Sequence, residues 1–153
     1  MKPILVLVLV LAVAMAACGT TQQPAASVSS SPVVITATLS ATACDVVAPD
    51  HMSLSRVSFH LVNNTKVTGR FILGWVMPGH TFQDLVDWWN SPDGQTGPPD
   101  FTTEIGLLDV GSGNSRDMAV SIIHAGTYAF HCGYVNDKGT VTAFWHELKA
   151  ADG

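Results

Sequence analysis

From Val33 onward the apolar residues recur in steps of two, and this period constrains the fold more than any other feature of the chain. Over Arg56–Asn63 the alternation is clean, with Val57, Phe59 and Leu61 on one face and Ser58, His60 and Val62 on the other. That is the pattern of a half-buried strand. Val33–Leu39 is rich in β-branched residues, and Phe71–Val76 is the denser apolar run of a more buried strand. Phe101–Val110, Arg116–Ile123, Thr127–Tyr134 and Thr140–Lys149 bring the count to about seven strands. Turn signals separate them at Ala48-Pro49-Asp50, Pro78-Gly79, Gly111-Ser112-Gly113-Asn114, Ala125-Gly126 and Asn136-Asp137-Lys138-Gly139. Short strands at this spacing predict an all-β sandwich over residues 33–153, with one core.

A single short helix interrupts the strands. Thr81 is placed to cap it, and Asp84 three residues on completes a capping-box pattern. Phe82, Leu85, Val86 and Trp89 fall on one apolar face, while Gln83, Asp84, Asp87 and Asn90 face water. The proline-rich stretch 91–100 reads as a loop. The Asn136–Gly139 turn also fixes a register. With Gly139 in the left-handed position of a three-residue loop, Asn136 opposes Thr140. Cys132 then opposes Phe144, Phe130 opposes His146 and Tyr128 opposes Leu148. These residues share the inward face, and Cys132 is expected to be buried.

Upstream of the sandwich, Lys2 is followed by an uncharged apolar run to Ala17. Fifteen residues are short of the ~20 needed to span a bilayer but suit the apolar region of a signal peptide over 1–17. Two cleavage readings compete: Ala14-Met15-Ala16 fits ordinary signal peptidase, whereas Met15-Ala16-Ala17-Cys18 resembles a bacterial lipobox. In the second, Cys18 carries the lipid, residues 18–32 form a flexible tether, and Cys44 and Cys132 remain as an even pair in an oxidising compartment. Parity favours this second reading, an exported protein lipid-anchored to the bacterial cell membrane or outer membrane. Without Lys2, six Lys and Arg stand against twelve Asp and Glu. No basic cluster marks a nucleic-acid partner, so the expected partners are the membrane, through the lipid, and an envelope protein or small ligand.

Three stretches together resemble the cupredoxin family. Val57-Ser58-Phe59-His60-Leu61-Val62-Asn63 looks like its V-x-F-x-x-x-N strand, and Gly126-Thr127-Tyr128-Ala129-Phe130-His131-Cys132 like its G-T-Y-x-F-x-C strand. Pro78-Gly79 resembles the turn between them. The resemblance spans roughly residues 33–149 and implies a Greek-key β-sandwich. It implies a type 1 copper site only where the ligands match, and they do not. Thr65–Phe71 holds no histidine after the asparagine, and Gly133–Ala143 holds neither the histidine nor the methionine that follow the family's cysteine. Cys132 stands alone where a ligand would. The nearer likeness is to cupredoxin-like domains of exported bacterial lipoproteins, and it implies a Cys44–Cys132 disulfide. A cupredoxin-like accessory or binding module without a cofactor is therefore expected. The alternative is a copper-binding or electron-transfer protein with a non-standard site.

The remaining candidates are judged residue by residue. His51, His60, His80, His124, His131 and His146 show neither His-x-His nor helical i, i+4 spacing. No metal is expected at them, and the weak candidates are Cys132 with His146, which shares its face on the diagonal, and His131, which points the other way. Trp88-Trp89 beside the proline-rich loop is a weak candidate ligand patch. No G-x-S-x-G, H-E-x-x-H or phosphate loop occurs, so no enzyme is expected. Asn63-Asn64-Thr65 fits a glycosylation sequon and is given no role.

Overall fold

The computed structural model describes residues 33–95 and 97–151; the leader, Cys18 and the whole tether lie outside them. Two sheets face each other. The first has the order β2-β1-β4-β7, built from β1 (Val33–Leu39), β2 (Cys44–Val47), β4 (Arg56–Asn63) and β7 (Ser115–Ser121). The second has the order β3-β9-β8-β5-β6, built from β3 (Met52–Ser53), β5 (Gly69–Val76), β6 (Thr102–Val110), β8 (Gly126–Val135) and β9 (Val141–Ala151). β1 runs parallel to β4 and β3 parallel to β9; the other neighbours are antiparallel.

Nine strands replace the seven expected. The two additions, β2 and β3, hold four and two residues, too few for a period of two to be read. The long strands keep their expected places within two residues at either end. The β8–β9 hairpin has the expected register, with Cys132 opposite Phe144, Phe130 opposite His146 and Tyr128 opposite Leu148. Gly139 has φ 77°, the left-handed conformation that turn requires.

Alternation puts one face of each strand inside. Ile35, Ala37 and Leu39 of β1 and Val57, Phe59 and Leu61 of β4 meet Phe71 and Leu73 of β5 and Tyr128, Phe130 and Cys132 of β8. Phe130 stacks on Phe59 at 5.2 Å between ring centroids and lies 6.3 Å from Phe71, an arrangement that adds to simple burial. The buried Tyr128 hydroxyl donates to His124 O at 2.9 Å, so its polar end is satisfied.

Helix α1 (Phe82–Asn90) starts as its sequence predicts. Thr81 Oγ1 accepts from the Asp84 amide, and the Asp84 carboxylate accepts from the Thr81 amide at 2.7 Å. Those bonds hold the Asp84 pKa below the ordinary carboxylate value. Leu85 packs with Val76 and Ala129 in a second small core on the outer side of the five-stranded sheet. The stretch expected to be plain loop contains one 3-10 turn, Pro92–Gln95.

Candidate metal and thiol site

Cys44 opens β2 in one sheet, and Cys132 lies mid-strand in β8 of the other. The structure brings them together as a disulfide, with 6.4 Å between their Cα atoms, that ties the two sheets across the core. His146 of β9 stands on the diagonal from Cys132, since it opposes Phe130. One ligand atom from each of Cys44, Cys132 and His146 lies within 4.8 Å of the others. Cys132 is fully buried, Cys44 is 4% exposed and His146 is half-buried.

Topology leaves one side of this cluster open. β3 pairs with β9 only at Ala150 and Ala151, so the rest of that strand edge has no neighbour there among the described residues. A cleft of about 320 Å³ occupies the gap between the segment Val46–Asp50 and the segment His146–Lys149. His146 thus belongs both to the cleft wall and to the cysteine cluster.

The same geometry tests the type 1 copper set. In the stretch where the family's first histidine would fall, a Cβ on Gly69 would stand 2.7 Å from Leu39 Cδ2 and 3.1 Å from Asn63 Cγ. An imidazole there would have to displace the buried Leu39 and Asn63 side chains. Asn63 occupies the space instead, and all four of its amide hydrogen-bonding positions are filled. Nδ2 donates to Val67 O and Val110 O, both at 2.8 Å, while Oδ1 accepts from the Thr65 amide and hydroxyl. Beyond Cys132 the hairpin closes through Asn136 N to Thr140 O and carries no histidine. Two of the three trigonal ligands therefore have no place, and the residues do not fit a type 1 centre.

The other histidines lie elsewhere. His131 points to the outer face, tilted against Trp145 at 4.6 Å, and its Nδ1 is buried without a partner. Burial, and secondarily the Arg70 charge, push its pKa down to about 4, so it stands neutral at ordinary pH. His60 hydrogen-bonds Asp117 at 2.7 Å on the surface, His124 stacks on Trp75 and His80 on Phe101. His51 is exposed in the β2–β3 connection. Both tryptophans of the candidate ligand patch are half-buried. Trp89 stacks on Trp145, and Trp88 Nε1 donates to Gly97 O, fastening the loop after the helix.

The sequence reading places Cys44 with Cys132 through the family resemblance and Cys132 with His146 through the hairpin register; what it does not draw is the grouping of all three.

No family model matches this chain, and no curated protein matches it. Among solved structures it is similar to the dithionite-reduced auracyanin from the photosynthetic bacterium Roseiflexus castenholzii, at 18% identity and a TM-score of 0.49, over 78% of this chain and 97% of that one. It is also similar to auracyanin A, a "blue" copper protein from Chloroflexus aurantiacus, at 18% identity and a TM-score of 0.47, over 78% and 99%. Auracyanin B follows at 18% and 0.42, over 79% and 95%. The copper named for auracyanin A is that protein's.

Proposed function

We propose that this chain is an exported, lipid-anchored β-sandwich of cupredoxin type that binds a soft metal ion of the copper class at a non-standard site. Cys44, Cys132 and His146 are its ligands, in the state where the bridge is reduced. The observation that carries this is the convergence of the three ligand atoms within 4.8 Å. Metal–sulfur bonds of about 2.3 Å put two bound thiolates roughly 4 Å apart, and the Cα atoms of the pair stand 6.4 Å apart. Two thiolates and an imidazole favour Cu(I) or Zn(II) over the hard cations. Binding, not turnover, is what this group supports. The anchor at Cys18 keeps the domain at the membrane surface, where an envelope protein or small ligand exchanges the ion.

A second reading takes the bridge as purely structural and the domain as a metal-free accessory module, and the formed disulfide favours it. Anaerobic Cu(I) titration of the mature protein, in competition with a coloured chelator, decides between them. The reduced protein is expected to take one equivalent and the oxidised protein none. His146→Ala should weaken binding at least tenfold. A reduced, folded protein that takes no copper would leave only the accessory reading.

A further inference from the structure

We infer that the Cys44–Cys132 bridge is an exchangeable redox centre, opened in the folded protein by a small dithiol that enters through the cleft beside His146. What the opening uncovers rests on the metal reading above; the exchange itself does not.

Three observations converge here. The cleft is lined by His146 and, among others, by Val46, Ala48, Asp50, Glu147 and Lys149. A ring nitrogen of His146 lies within 4.8 Å of both sulfurs, so this residue belongs both to the cleft lining and to the surroundings of the bridge. The strand carrying Cys44 is also lightly held. β2 has four residues, lies at the sheet edge and pairs on one side only, with β1. Short edge elements open locally at far less cost than the whole domain. Finally, the two cysteines are unequal: Cys44 retains 4% exposure and Cys132 none. The more accessible Cys44 is therefore the one an incoming thiolate is expected to attack.

The exchange is a sequence of two displacements. A thiolate of the incoming dithiol attacks Cys44 Sγ; the Cys44–Cys132 bond breaks, and its electron pair leaves on Cys132. The second thiolate of the dithiol then attacks the reagent sulfur of the mixed disulfide and releases Cys44. The dithiol ends as its own disulfide. Two electrons pass to the protein, and the two protons given up by the dithiol balance those taken by the cysteines. The two free thiols and His146 are then the metal-binding group, and metal uptake returns the protons to water.

The experiment uses the mature protein in native buffer. Dithiothreitol is added without denaturant, and Cys44 and Cys132 are alkylated and mapped by mass spectrometry while circular dichroism follows the fold. Reduction with the fold retained is expected. A monothiol, glutathione, should be trapped as a mixed disulfide on Cys44 rather than Cys132. Ala48→Trp, which fills the cleft, should slow reduction at least tenfold at an unchanged urea midpoint. Should that variant fold poorly, the trapping site still decides. A bridge that opens only once the protein unfolds, or a mixed disulfide on Cys132, overturns the inference. Copper uptake by protein reduced in urea and refolded would then leave the metal reading standing. Native reduction followed by no copper uptake would sink the metal reading and keep the exchange.

Discussion

Asn63→Asp is nearly isosteric, so its effect isolates hydrogen bonding from shape. Asn63 is fully buried and holds together three segments. It donates to Val67 O in the β4–β5 connection and to Val110 O at the end of β6, and it accepts twice from Thr65. The aspartate keeps the two acceptor roles and loses both donations. Val67 O and Val110 O both lose their bond from the amide, and the one Thr65 hydroxyl proton, 2.8 Å from both Oδ1 and Val67 O by its oxygen, serves only one of the two. Two lost bonds cost about 1 kcal/mol each, and a buried carboxylate facing two carbonyl oxygens costs about 1–3 kcal/mol more. The expected loss is about 3–5 kcal/mol at neutral pH. For a domain of about 120 residues this lowers Tm by roughly 12–20 °C. Burial and the facing carbonyls raise the folded-state pKa of the new carboxyl above its unfolded value of about 3.9. A raised carboxyl pKa means that the protonated form is favoured in the fold, so the variant is closest to the parent below pH 4. Its deficit grows as pH rises through the folded-state value and is then constant. Urea unfolding at pH 4 and pH 8 with the bridge intact measures both. A variant within about 0.5 kcal/mol of the parent at both pH values would refute the account of Asn63 as the polar centre of that end of the sandwich.

Two further outcomes are expected. Replacing Cys44 and Cys132 by Ser opens a loop with a sequence separation of 88 residues. Loop-closure entropy then predicts a loss of about 4–5 kcal/mol by urea unfolding, and a loss under about 1 kcal/mol would show that the bridge does not constrain the unfolded chain. Cys18→Ala should move the protein from the membrane to the soluble fraction, and a native N-terminus at Ala17, found by mass spectrometry, would disprove the lipid anchor.

Much of the sandwich was legible because its long strands are half-buried and speak in a period of two. Arg56–Asn63 alternates in sequence and alternates in burial, residue by residue. The helix was legible through its capping box, and the β8–β9 register through one glycine turn. β2 and β3 were not, since their few residues carry no period; β2 pairs with its neighbour β1, Cys44 opposite Leu39, but β3 is held by a partner distant in sequence, Met52 opposite Ala150. Gly69 illustrates a second limit. In sequence it is only a missing histidine; in the fold it is a residue whose hydrogen faces Leu39 and Asn63 at a distance no side chain tolerates.

The candidate site follows from those illegible pieces. Because β3 covers β9 for two residues only, the strand edge at His146 meets solvent, and the cleft forms there. Cys44, the first residue of the short edge strand β2, pairs with Leu39 in its own sheet while its side chain crosses the core to Cys132 of β8. A longer β3 would pair along His146 and close the cleft. The sulfur–imidazole cluster is thus a product of where two short strands stop, and strand length at a sheet edge is set by tertiary partners rather than by local propensity.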